Sequence, residues 1–251
     1  MTTSSLLTAR AASASPERRF GEALAALAAV QKPGAGFPAY TRWVNRRLAR
    51  YAAAAAYRWG WTPNAVTAAS AALSGVAVVL LVAAPVGVGT GIAVAVLLAG
   101  GYLLDSADGQ VARLSGKGSI AGEWLDHVVD AVRTPAIHLA VLVGLSRLSA
   151  APWLQVVAIL YCVVAVGQFM SQILAEQLSG RVHRPVSGAG VRQSLLTLPT
   201  DTGVLCWLFL LWGLPAAFAV AYPALFAANA LHTAVSMRRK YEHLTDRARK
   251  S

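Results

Sequence analysis

Four aspartates stand in two pairs, Asp105/Asp108 and Asp126/Asp130, on segments otherwise apolar enough to lie in a bilayer. An ionisable residue in lipid is costly and marks a functional site by default. Two carboxylates about 4 Å apart repel by roughly 4 kcal/mol even at an effective dielectric of 20, so a cation must offset them. With Glu123, five of the chain's eleven acidic residues fall between Asp105 and Asp130, a concentration that composition alone does not produce. Positions three and four apart share a helix face. Asp105, Asp108, Gly109 and Ala112 therefore line one side of one helix end, and Gly122, Asp126 and Asp130 line one side of the next. Facing each other, the two ends make a four-carboxylate cage. Hard oxygen ligands of this kind suit Mg²⁺ or Mn²⁺, and four negative charges call for two such ions. Gly109, Ala112 and Gly122 let a bulky polar ligand approach the backbone, while Arg113 and Lys117 supply positive charge for phosphates.

The elements that carry these residues belong to a membrane protein. Hydrophobic residues make up 56% of the 251 and charged ones 13%, with a mean hydropathy of +0.53; soluble domains sit near 45–50% and 25%. The net charge of +11 does not point to nucleic acid, because the Lys and Arg flank apolar segments and form no stripe alternating with aromatics. Cys162 and Cys206 lie within apolar runs, without metal or disulfide spacing, and read as interior bystanders.

A spanning helix needs about 20 apolar residues. Residues 65–84, 86–104 and 151–175 carry no Asp, Glu, Lys or Arg, and residues 120–145 are apolar apart from Glu123, Asp126, Asp130 and Arg133. The uncharged stretch 202–237 is 36 residues long, about 54 Å of helix against a core of about 30 Å. It is therefore two spans, broken near Gly213 and Pro215. The prediction is an all-α membrane protein of six transmembrane helices. Ahead of them, residues 40–61 set Trp43, Val44, Leu48, Tyr51 and Ala55 at helical spacing beside Arg42, Arg46, Arg47 and Arg50, which predicts an interfacial amphipathic helix. The domains follow: a basic, mobile amino-terminal region 1–39 with a short surface helix from Glu17 to Val30, the interfacial helix 40–61, the six-helix catalytic unit 62–237 and a basic tail 238–251. Six spans put twenty Lys and Arg on one side and Arg147 on the other, with Arg133 inside a span. The positive-inside rule then makes both termini and the aspartate site cytoplasmic, in a cell membrane whose anionic lipids meet the basic flanks.

The pattern D-x2-D-G-x2-A-R-x8-G-x3-D-x3-D, from Asp105 to Asp130, resembles the signature of the cytidine diphosphate (CDP)-alcohol phosphotransferase family at every fixed position. Thr62-Pro63-Asn64 followed by Thr67, just before the first span, is similar to the start of many members. The likeness extends over roughly residues 40–240. It implies transfer of a substituted phosphate from a CDP-linked donor to an alcohol, with release of cytidine monophosphate (CMP), in phospholipid biosynthesis. It also implies that Asp105, Asp108 and Asp126 are metal ligands, and that Asp130 is the base that deprotonates the alcohol while touching metal. Gly109 and Ala112, with Gly122, would admit the cytidine, and Arg113 would hold the diphosphate; Asn64, Lys117 and Ser119 are added by position. CDP-diacylglycerol is the favoured donor, and a small CDP-alcohol with a lipid acceptor is the alternative. A phosphorylated acceptor would need cations such as Arg133, Arg181, Arg184 and Arg192. Branches that use glycerol or inositol phosphates often carry a basic residue directly after the fourth aspartate, where this chain has Ala131, so the acceptor stays open. The family also implies a homodimer.

Two other readings of the acids are weaker. Structural ion pairs fail because four acids face too few bases. A cation-coupled transporter would show internal repeats or matched broken helices, and the sequence shows neither. His127 and His138 read as packing residues.

Overall fold

The computed structural model describes residues 16–29, 36–178 and 190–248. Among these residues the secondary structure is helical without strands. The helices are α1 (Pro16–Ala29), α2 (Arg46–Arg58), α3 (Pro63–Ala83), α4 (Val88–Ser115), α5 (Ile120–Arg147), α6 (Pro152–Leu178), α7 (Val191–Leu196), α8 (Thr202–Leu208) and α9 (Pro215–Ala248). A π-helical turn, Thr41–Asn45, leads into α2, and 3₁₀ turns at Leu198–Thr200 and Phe209–Leu211 flank α8. Five helices, α3 to α6 and α9, are long and apolar enough to cross a membrane, which makes a multi-pass membrane protein.

The sixth expected span is shorter and broken, with an apolar run of Thr202–Leu211. Its placement is nevertheless informative. At one end, Asp201 is held by Thr41, whose hydroxyl also bonds Tyr102 of α4. At the other, Gly213 lies so close to Val88, the first residue of α4, that a Cβ would fall 2.2 Å from the Val88 nitrogen. The segment thus runs beside α4 from Tyr102 to Val88, a depth of about 21 Å at 1.5 Å per residue, alongside the uncharged part of that helix. Gly91 completes the fit: a Cβ there would meet the Phe209 carbonyl at 2.5 Å.

The main core gathers α3, α4, α5, α6, α8 and α9 around an aromatic column of Phe209, Trp212, Phe218, Tyr222 and Tyr161. His138 is interior, bonding the Tyr222 hydroxyl at 2.9 Å and stacking on Tyr161 at 4.0 Å between centroids. His127 packs edge-on with Phe169. Cys206 is buried and Cys162 half-buried, both free thiols.

A second core places α1 and α2 against the charged end of α4. Ala23 and Leu27 of α1, with Ala49, Ala53, Ala54 and Ala56 of α2, pack on Ala107 and Val111. The buried face of α2 is therefore its alanine stripe. Val44, Leu48 and Tyr51 remain exposed, as do Tyr57, Trp59 and Trp61. The expected surface helix near the amino terminus exists as α1, yet Leu27 is fully buried. The predicted basic tail continues α9 as helix to Ala248.

Candidate active site

Local signals set the two helix ends that carry the site. Gly116 takes φ 65°, the left-handed conformation that glycine adopts without strain, and ends α4. Three residues on, the Ser119 hydroxyl accepts from the Gly122 amide at 3.0 Å and caps α5. This short turn reverses the chain, so that α4 and α5 each pack on α3 and their charged ends face one another beside it. On α4, Ala107 and Val111 face the alanine core, so Asp105, Asp108, Gly109 and Ala112 are turned to the opposite side.

Asp105, Asp126 and Asp130 converge, with one carboxylate oxygen of each within 4.8 Å of the other two. Arg133, nearly buried, sits one turn beyond Asp130 and closes one side. Its Nη2 donates to Asp105 Oδ1 at 2.9 Å and to Ser70 Oγ at 3.1 Å, while Nη1 lies 3.5 Å from Asp130 Oδ1. Asp126 Oδ1 is buried without a hydrogen-bond partner. An orphaned acceptor there costs about 1–3 kcal/mol or more, and three convergent carboxylate oxygens with one cation leave negative charge in excess. The residues therefore fit a hard divalent cation. At 30% side-chain exposure against 17% for Asp105, Asp130 is the more open of the two acids that Arg133 grips.

The four-carboxylate cage is thus three acids with the fourth beside them. Asp108 is buried, and its Oδ2 accepts from Thr67 Oγ1 at 2.6 Å while Oδ1 accepts from the Gly109 amide. Thr67, from α3, occupies the donor's place because Thr62 caps that helix and sets its register.

Among the other expected residues, Gly122 faces α3: a Cβ there would meet Asn64 Oδ1 at 3.1 Å and Ser119 Oγ at 3.2 Å. Ala112 is half-buried nearby, and Lys117 is exposed in the turn. Gly109 and Arg113 share a wall on the other side, lining a cleft of about 350 Å³ with Asp105. Arg133, expected among acceptor cations, is engaged by Asp105 and Asp130. Arg192 is exposed on α7, and Arg181 and Arg184 lie outside the described residues. Sequence reasoning missed three contributors: Ser70, Thr41 and Asp201. Asp201 is buried and accepts from the Thr41 amide at 2.7 Å, the Thr41 hydroxyl at 2.8 Å and the Gly203 amide at 3.0 Å. As a lone acid opening an apolar run at Asp201-Thr202-Gly203, it carried a helix-cap signal.

A family model described as CDP-alcohol phosphatidyltransferase matches residues 60–235, more than two-thirds of the chain. The chain belongs to this family. A search of curated proteins gives no match. As a member of the CDP-alcohol phosphatidyltransferase family the chain is a transferase, and membership implies a CDP-alcohol substrate, an alcohol acceptor and a place in lipid synthesis. The match takes in all of α3, α4 and α5, hence every aspartate of the cluster, and begins after α2.

Proposed function

We propose that this chain transfers a phosphatidyl group from CDP-diacylglycerol to an alcohol hydroxyl, releasing CMP, at a divalent-metal site on the cytoplasmic face of a cell membrane. The observation that carries the reading is the convergence of Asp105, Asp126 and Asp130, with an unpartnered Asp126 oxygen. Those three carboxylates hold Mg²⁺ or Mn²⁺, and Asp108 adds charge beside them. When bound, the cation draws electron density from the diphosphate and favours departure of CMP.

The chain's own groups do the rest. Gly109, Ala112 and Gly122, which carry little or no side chain, let the cytidine approach the backbone closely. Arg113 offers its planar fork to the donor's diphosphate. Asp130, at the open side of the cluster, accepts the proton of the attacking hydroxyl. A new bond forms from that hydroxyl oxygen to the lipid-linked phosphorus, and the bond from phosphorus to the oxygen leaving with CMP breaks. Arg133 keeps the Asp130 carboxylate aimed, through its contact at 3.5 Å.

The membrane setting follows from the same features. The segment from Leu198 to Leu211 completes a sixth crossing because it runs alongside the uncharged length of α4. Six crossings place both termini and the basic turn bearing Arg113 and Lys117 on the cytoplasmic side. Helix α2 lies in the interface, with Leu48, Tyr51 and Trp59 toward acyl chains and its arginines toward headgroups.

The test is CMP release by the purified chain in vesicles containing CDP-diacylglycerol, with a panel of candidate alcohols. Release that needs Mg²⁺ or Mn²⁺ and stops with EDTA supports the reading; a chain that binds neither CMP nor the donor in any metal overturns it.

A further inference from the structure

The stretch before α2 does more than lead the chain into the membrane surface. Its backbone forms a π-helical turn, Thr41–Asn45, a rare geometry that recurs at functional sites. The family model matches from residue 60 onward, so this turn lies outside it. Thr41 and Asn45 are the buried residues of the turn, and both side chains reach α4.

Hydrogen-bond roles fix the order of the grip. The Asp201 carboxylate only accepts, so the single Thr41 hydroxyl proton goes to Asp201 Oδ1 at 2.8 Å, and the Tyr102 hydroxyl donates to Thr41 Oγ1 at 2.6 Å. At the far end of the turn, Asn45 Nδ2 donates to the Tyr102 carbonyl at 3.2 Å and to Ser106 Oγ at 2.6 Å. The turn therefore holds α4 at Tyr102, by ring and by backbone, and at Ser106. Asp105 lies between them. The turn is itself anchored from behind: Asp201 caps α8, Trp207 of α8 donates to the Tyr40 hydroxyl at 2.9 Å, and Arg42 donates to Ser194 of α7 at 3.0 Å.

The same part of α4 is tied to α3, where Ser70 donates to the Gly101 carbonyl at 2.8 Å and receives Arg133 at 3.1 Å. Two neighbours thus fix α4 around one carboxylate of the cluster. The fixing matters because the ligands come from two helices, Asp105 from α4 and Asp126 with Asp130 from α5. A site of this kind needs its ligands held within about 0.5 Å of the productive geometry. A shift of the Asp105 turn alone moves one ligand against the other two.

We propose that the π-helical turn Thr41–Asn45 positions Asp105 for metal binding, with Thr41 and Asn45 as positioning residues that act through Tyr102 and Ser106. The inference rests on the reading of Asp105, Asp126 and Asp130 as a divalent-cation site. It gives the stretch before α2 a part in the chemistry besides its place at the membrane surface.

The experiment is Mn²⁺ binding to the full chain in detergent, with free Mn²⁺ read by electron paramagnetic resonance, beside thermal unfolding in EDTA. Thr41→Val keeps the shape of the side chain and removes the hydroxyl that joins Asp201 to Tyr102; Thr41→Ser keeps that hydroxyl. Asn45→Ala removes the grip on the Tyr102 carbonyl and on Ser106. Thr41→Val and Asn45→Ala should each weaken Mn²⁺ binding by about 10-fold, the lower end for loss of a residue that orients a metal ligand. Thr41→Ser should restore most of the affinity. The control is Leu81→Ala, a core change about 21 Å along α3 from Thr67; it should lower Tm and leave Mn²⁺ affinity at the wild-type value. Unchanged affinity in Thr41→Val or in Asn45→Ala, Thr41→Ser as weak as Thr41→Val, or an equal loss of affinity in Leu81→Ala would each overturn the inference. A wild-type chain that binds no Mn²⁺ would instead remove the metal-site reading, so the two failures are told apart. If one of the two weakening variants does not fold, the other, set against Leu81→Ala, decides the matter.

Discussion

Replacing Arg133 by methionine keeps an unbranched apolar stem and removes the one cation, among the described residues, that grips the carboxylate cluster. In the wild type the guanidinium donates to Asp105 at 2.9 Å and approaches Asp130 at 3.5 Å, with a side-chain exposure of only 9%. Breaking a buried pair by deleting one partner costs about 3–5 kcal/mol, because the other charge is left uncompensated. The geometry supports a figure of that size. Two carboxylate oxygens 4.8 Å apart repel by about 3.5 kcal/mol at an effective dielectric of 20, and three acids share this space. For a chain of this size 1 kcal/mol moves Tm by about 2–4 °C, so Arg133→Met should unfold some 6–20 °C lower than wild type in EDTA. Tryptophan fluorescence of the purified protein, which has seven tryptophans, follows the transition. Adding Mg²⁺ or Mn²⁺ should recover at least half of the loss, since a divalent cation neutralises the same acids. A variant as stable as wild type in EDTA, or one that divalent cations leave unmoved, would refute the assignment of Arg133 as counter-charge to a metal-binding cluster.

Two further outcomes follow from the same geometry. Asp130→Asn should lower turnover by about 10²–10⁴-fold while leaving CDP-lipid binding largely intact, as removal of a general base does; single-turnover CMP release beside equilibrium donor binding separates the two, and undiminished turnover contradicts the role. Gly203→Ala would set a Cβ 2.0 Å from the Tyr40 ring, forcing apart α8 and the stretch before α2 at a cost of about 1–3 kcal/mol; thermal unfolding should register the loss, and an unaltered Tm would show that the Tyr40 contact is loose.

The carboxylate pairs were legible because their spacing combines two strong constraints. Acids are rare in apolar segments, and residues three or four apart must share a helix face. The helices themselves were legible from uncharged runs of spanning length. What escaped were contacts whose partners are distant in sequence. Asp201 is 160 residues from Thr41, and no local pattern joins them. Thr67 draws Asp108 out of the expected cage across 41 residues, which a helical face alone does not reveal. The packing of α2 on α4 escaped for another reason. Periodicity singled out the large residues Val44, Leu48 and Tyr51, which stay exposed, whereas close approach to α4 is made by Ala49, Ala53 and Ala56, because small side chains let helix backbones come near. The break near Gly213 and Pro215 was legible from the length of the uncharged stretch, and Gly213 does press against Val88 there. What its lack of charge did not reveal is that the segment before it is a short helix flanked by 3₁₀ turns at Leu198–Thr200 and Phe209–Leu211. Arg133 offered a usable signal, being three residues after Asp130 on the same face, but its reach to Asp105 depends on how α4 and α5 each pack against α3.

The claim beneath the whole account is that Asp105, Asp126 and Asp130 hold a divalent cation between them. Anomalous scattering from crystals of the full chain grown with Mn²⁺ and CMP measures this directly. The account predicts a manganese peak bounded by the three carboxylates, with Asp126 Oδ1 among its ligands. Carboxylates that stay turned toward Arg133 and one another, with no manganese density between them at saturating Mn²⁺, would contradict it.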